Sequence, residues 1–192
     1  MAQRTTARDQ ARYLWVGAAI LVVALAVVMG LLLLSGGGAN GGTAGDISGV
    51  KSYSGLSRDH TDSPVTYAQN PPVGGPHSPV WQNCGVYDQP VPNEQAVHSL
   101  EHGAVWITYR PDLPAGEVAQ LRDLVRGRSY TLLSPYPGLP APVVASAWGV
   151  QLQVQSAGDP RLAQFIAKYA NGPQTPERGA PCTGGAGTPI SP

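Results

Sequence analysis

His98-Ser99-Leu100-Glu101-His102-Gly103 concentrates the side chains best suited to chemistry, and two of the chain's four histidines fall within it. If Asn93–His102 is helical, residues four apart share a face, so the two imidazoles reach one place with Glu101 at its edge. That is how a helix presents two nitrogens to a single metal ion. His77 supplies the best third ligand, because Asn70–Pro79 (NPPVGGPHSP) is fixed and freed by its prolines and glycines and holds a side chain preorganised. Three imidazoles suit zinc, copper or nickel and leave a fourth position for water. Glu101 then orients a ligand from behind or exchanges a proton. His60, in the polar run Arg58-Asp59-His60-Thr61-Asp62, reads as a neutral surface histidine. Plain structural hydrogen bonding is the competing reading for the other three.

Other chemistries fit less well. His98-x-x-Glu101-His102 matches the inverted zinc-protease pattern, in which the glutamate is general base, and Glu177 lies at a suitable distance downstream for a third ligand. Those enzymes place the motif inside a long helix, whereas Gly103 and a strand-like run end this one at once, and Glu177 sits in a Pro/Gly-rich tail. The match reads as coincidental. A blue-copper site needs an axial methionine, and the two methionines, Met1 and Met29, precede any folded domain. No G-x-S-x-G, phosphate loop or dinucleotide fingerprint occurs. Cys84 and Cys182 lack CxxC spacing and read as one disulfide, which closes a loop of about one hundred residues for ~3–5 kcal/mol in the entropic account. The alternative is a Cys84 thiolate beside the histidines.

The elements that must position these residues follow from hydrophobic pattern and punctuation. Residues 1–12 form a basic tail, and Leu14–Leu34 then runs without a charge, flanked by Tyr13 and Trp15. This is expected to be a transmembrane helix over residues 13–34, an uncleaved signal anchor with its N-terminus cytoplasmic by the positive-inside rule. A flexible Gly/Ser-rich linker is expected over residues 35–49, an extracytoplasmic domain over 50–182 and a disordered tail over 183–192. Within the domain, Ala104–Tyr109 and Ser129–Leu133 read as strands, and Val143–Trp148 and Val150–Val154 as two strands or as one bent at Gly149. Pro114–Arg126 reads as an amphipathic helix, and another begins at Asp159-Pro160 and ends at Asn171-Gly172. Few helices and short links predict a small α+β fold with a mainly antiparallel sheet and two or three short helices. Balanced charge, with 12 basic and 12 acidic residues, argues against nucleic acid as a partner.

Asn70–His77 (NPPVGGPH), Trp81, Cys84-Gly85-x-Tyr87, Pro90-x-Pro92, Val97–Gly103 (VHSLEHG), Ala147-Trp148 and Glu177-Arg178 together resemble one bacterial family. It is domain of unknown function 3105, typical of actinobacterial single-pass membrane proteins, and the likeness spans roughly Val50 to Cys182. The resemblance implies an exported, membrane-tethered domain and carries no activity with it. Its signature falls on His77, Cys84, His98, Glu101 and His102. The function expected is therefore transition-metal binding, zinc or copper, through His77, His98 and His102. A non-catalytic interaction module of a cell-envelope membrane complex, with the histidines and Trp81 fixing a loop-rich surface, is the alternative.

Overall fold

A computed structural model describes residues 46–191. The basic tail, the expected transmembrane segment over 13–34 and most of the linker lie outside these residues. Among the described residues no helix is long and apolar enough to cross a membrane.

The described chain forms strands β1 (Lys51–Ser52) and β2 (Gly85–Val86), helix α1 (Asn93–Glu101), strand β3 (Val105–Tyr109) and helix α2 (Ala115–Val125). Strands β4 (Thr131–Pro135), β5 (Val143–Ala147) and β6 (Val150–Val154) and helix α3 (Pro160–Tyr169) follow. The six strands make one sheet in the order β1-β6-β5-β3-β4-β2. An α+β fold was expected, and that holds. The sheet is mixed rather than mainly antiparallel, because β3 pairs parallel to β4 and β4 parallel to β2, while β1–β6, β6–β5 and β5–β3 are antiparallel. Helix α2 supplies the crossover that a parallel pair needs, returning the chain to the sheet's other end so that β4 enters in the same direction as β3.

Alternation along β3 divides the core. Val105, Ile107 and Tyr109 join Leu121 and Val125 of α2 and Leu162, Phe165 and Ile166 of α3. Trp106, pointing the other way, packs with Leu132 and with Ala96, Val97 and Leu100 of α1. The sheet thus has α2 and α3 on one face and α1 on the other. This explains why the central strands are buried at nearly every position.

Local signals held where the chemistry was specific. The Asp159 side chain accepts the Arg161 N–H at the start of α3, with Pro160 in the first turn. Trp148-Gly149 is the two-residue turn joining β5 to β6, so that stretch is two strands. The strand expected at Ser129–Leu133 instead occupies Thr131–Pro135, since Tyr130 adopts a φ of 56° and delays the extended run.

The ends of the domain differ from expectation. Ile47, assigned above to the linker, packs on the core. Residues 183–191, assigned above to a disordered tail, are pinned: Asn83 N–H donates to Ala186 O at 2.8 Å, and Val86 N–H to Ser191 O at 2.8 Å. Their irregular sequence conceals hydrogen bonds made to distant loops rather than to themselves.

Candidate metal centre

Helix α1 docks through Ala96, Val97 and Leu100 and turns His98, Glu101 and His102 together toward the neighbouring loops. It stops at Gly103, whose φ of 109° favours glycine, and an added Cβ would meet Asn171 Cα at 3.0 Å. His77 arrives from the proline loop, which is fastened to the β5–β6 hairpin: Gly149 N–H donates to Val73 O at 2.7 Å, and Gln151 Nε2 to Pro71 O at 2.9 Å. His60 arrives beside it through a parallel bridge, in which His77 N–H donates to Asp59 O at 3.0 Å and Thr61 N–H to His77 O at 2.7 Å.

The three α1 and loop histidines share one hydrogen-bonding pattern. Nδ1 of His77 contacts Gly75 O at 2.8 Å, Nδ1 of His98 contacts Ser78 O at 2.7 Å, and Nδ1 of His102 contacts Pro181 O at 2.6 Å. A carbonyl oxygen only accepts, so each Nδ1 carries a proton and Nε2 is the nitrogen that a neutral ring leaves for a ligand. This is the tautomer that metal-binding imidazoles adopt when a backbone carbonyl orients them.

One ligand atom from each of His60, His77, His98 and Glu101 lies within 4.8 Å of the others. The ring centroids of His60, His77 and His98 form a triangle with every side 4.9 Å. Imidazoles bound to a tetrahedral ion at about 2.0–2.1 Å would place their centroids about 5 Å apart, so the triangle has the right size. Of the donor separations, His77 Nε2 to Glu101 Oε2 is 2.9 Å and His60 Nε2 to Glu101 Oε2 is 4.0 Å, on either side of the ~3.3 Å spacing of a tetrahedral site.

Charge favours a cation here. Glu101 is only 1 % exposed, and its Oε2 lies 2.9 Å from His77 Nε2 and 4.0 Å from His60 Nε2. Because His77 Nδ1 already donates to Gly75, a carboxylate facing Nε2 requires a second ring proton or a metal ion between them. The other carboxylate oxygen is taken by Arg58, whose Nε donates to Glu101 Oε1 at 2.6 Å. Arg58 Nη2 also donates to Glu177 Oε1 at 3.0 Å.

Burial pushes the His98 imidazole down to about 4; the Ser78 carbonyl opposes that shift, and the nearby His102, His77 and His60 rings add to it. His98 therefore stays neutral, with a usable lone pair, in mildly acidic solution. Its folded pKa lies below the ordinary 6.5, so the unfolded chain binds the proton first as pH falls. The stability of the metal-free chain owed to His98 is complete above about pH 6.5 and declines as pH drops toward about 4. Urea midpoints measured across that range should fall, and His98→Gln should flatten the fall. An NMR titration placing the His98 ring near the ordinary histidine value would contradict this.

The group gathered by the fold is not the triad read from the sequence. His77 and His98 come together. Glu101, expected behind the ligands, offers a carboxylate oxygen among them. His60, expected as a plain surface residue, is half exposed yet closes the ring triangle. His102 stands outside the four-residue cluster: its ring is 4.4 Å from His98 and 5.0 Å from Trp81, and its Nε2 is 3.7 Å from Glu177 Oε2. Nothing in the sequence around His60 announces its role, which depends on a bridge between two irregular loops. The protease-like pattern gains no support, since Glu101 is clamped by Arg58 among imidazoles and Glu177 engages Arg58. Cys84 and Cys182 are paired, with Cα atoms 5.3 Å apart, so no free thiol remains to serve as a ligand.

No curated protein and no solved structure matches the chain. A family described as "Protein of unknown function (DUF3105)" matches residues 59–184, a span that holds all four histidines, Glu101, Glu177 and both cysteines. The chain belongs to this family.

Proposed function

We propose that this domain is an extracytoplasmic metal-binding module, anchored to the cell membrane by residues 13–34 with its N-terminus in the cytoplasm. It takes one transition-metal ion, zinc or copper, through His60, His77, His98 and Glu101. The observation that carries this reading is the convergence of three imidazoles on a buried carboxylate, with His77 and His98 oriented at Nδ1 by backbone carbonyls and His77 Nε2 facing Glu101 Oε2 at 2.9 Å. Nitrogen and carboxylate donors without thiolate suit zinc or copper(II). His60 is the exposed donor, and it is the ligand that water or an incoming molecule displaces. The anchor rests on the charge-free run Leu14–Leu34 and its basic N-terminal flank.

The test is a chelator competition on the full-length chain in detergent, comparing single variants. His77→Ala and His98→Ala should weaken zinc or copper binding by about 100-fold or more, and His60→Ala by about tenfold. His102→Ala, which removes only a neighbour, should cost less than either buried ligand; losses of about 10–100-fold are usual for residues that orient ligands. Equal affinities across the series, or loss confined to His102→Ala, would overturn this donor set.

A further inference from the structure

We propose that residues 177–182 form a disulfide-tied strap that governs how tightly the centre holds its metal, so that reduction of Cys84–Cys182 by an external dithiol releases the ion. The inference rests on the metal-binding reading above.

The strap touches the centre at three points. Glu177 N–H donates to Glu101 O at 3.0 Å, at the end of α1. The Glu177 carboxylate holds Arg58, which holds the Glu101 carboxylate. Pro181 O accepts from Nδ1 of His102, whose ring packs against His98. The very next residue is Cys182, and its carbonyl accepts the Cys84 N–H at 2.7 Å. None of residues 177–182 lies in a helix or strand; besides these bonds the strap is held by Arg178 Nε to Asn171 O at 2.8 Å, Gly179 N–H to Asn171 Oδ1 at 3.0 Å and Tyr130 OH to Ala180 O at 3.0 Å, and the disulfide is its one covalent tie. A tie that spans 98 residues limits the detached conformations most strongly.

Both cysteines are partly exposed. Cys84 and Cys182 line a cavity of about 530 Å³ together with Gly85, Arg128, Tyr130 and Thr183. A thiolate of the dithiol attacks one Sγ and expels the other as thiolate, giving a mixed disulfide. The reagent's second thiolate then attacks the reagent sulfur of the mixed disulfide and expels the remaining cysteine as thiolate, so two electrons and two protons end on Cys84 and Cys182 and the reagent leaves as its own disulfide. Freed of the tie, Glu177 no longer steadies Arg58 and Glu101, and Pro181 no longer fixes His102 against His98.

Two measurements on the full-length chain in detergent decide this, with zinc as the probe. The first compares zinc affinity of the disulfide form with that of Cys84→Ser/Cys182→Ser, where serine prevents thiolate binding; the variant should bind at least tenfold more weakly. The second treats zinc-loaded protein with a phosphine reductant and follows thiols and released zinc together. Zinc leaving in step with thiol appearance, while the far-ultraviolet spectrum is kept, supports the strap, and this arm decides if the serine variant fails to fold. Two thiols per chain with zinc retained, or release only upon unfolding, overturns it. Absence of zinc and copper from the oxidised chain would instead defeat the metal-binding reading itself.

Discussion

Glu101→Leu is expected to abolish metal binding and to lower the stability of the metal-free chain by about 1–3 kcal/mol, the cost of leaving buried polar partners unsatisfied. Glu101 is nearly inaccessible, and two groups depend on its carboxylate. His77, fully buried, loses the carboxylate oxygen 2.9 Å from its Nε2. Arg58 loses less, because its guanidinium is half exposed and solvent takes up the freed donors, which keeps the estimate below the value for a fully buried ion pair. Glu101→Gln separates charge from shape. It should keep most of the stability, through an amide that still accepts from Arg58, yet bind metal much more weakly, because a neutral oxygen is a poorer ligand. Urea denaturation and chelator competition on both variants check the pair of claims. Unchanged metal affinity in Glu101→Leu would remove the carboxylate from the donor set.

Trp106→Ala carries the largest expected loss of stability, about 3–5 kcal/mol for truncating a buried tryptophan. Trp106 is fully buried between the sheet and α1, and its Nε1 donates to Ser134 Oγ at 3.0 Å. Truncation leaves a cavity beneath Val97 and Leu100 and strips Ser134 of its donor. Because α1 bears two of the four candidate ligands, a loosened α1 should also weaken metal binding, with added metal recovering part of the lost stability by mass action. Phe165→Ala, on the opposite face, is the comparison. It should cost similar stability, since Phe165 is equally buried under α3, but leave the affinity of the folded fraction unchanged. Equal effects of the two substitutions on affinity would mean that the two faces of the sheet are not separable in the way their packing implies.

These contrasts also show what could be read from sequence and what could not. Helix α1 and the shared face of His98, Glu101 and His102 were legible, because i, i+3 and i+4 spacing is a local property of the chain, but the roles of Glu101 and His102 were not. So were β3, the β5–β6 hairpin and the Asp159-Pro160 start of α3, where residue type and backbone preference agree. His77 was legible as a fixed residue because prolines and glycines constrain its loop. His60 was not, because it joins His77 by a bridge between two irregular segments, and such pairing leaves no period in either. The Arg58 clamp joins residues 43 and 119 positions apart, a distance over which no local pattern speaks. The parallel return of β4 was likewise hidden, since an amphipathic helix between strands is compatible with either sheet direction.

The most direct measurement is elemental mass spectrometry of the full-length chain, purified in detergent after expression to an oxidising compartment, alongside His77→Ala/His98→Ala. The account predicts close to one zinc or copper ion per chain, absent from the variant while its circular dichroism remains that of a folded domain. A wild-type chain that stays empty after reconstitution, or an ion that persists in the folded variant, would contradict it.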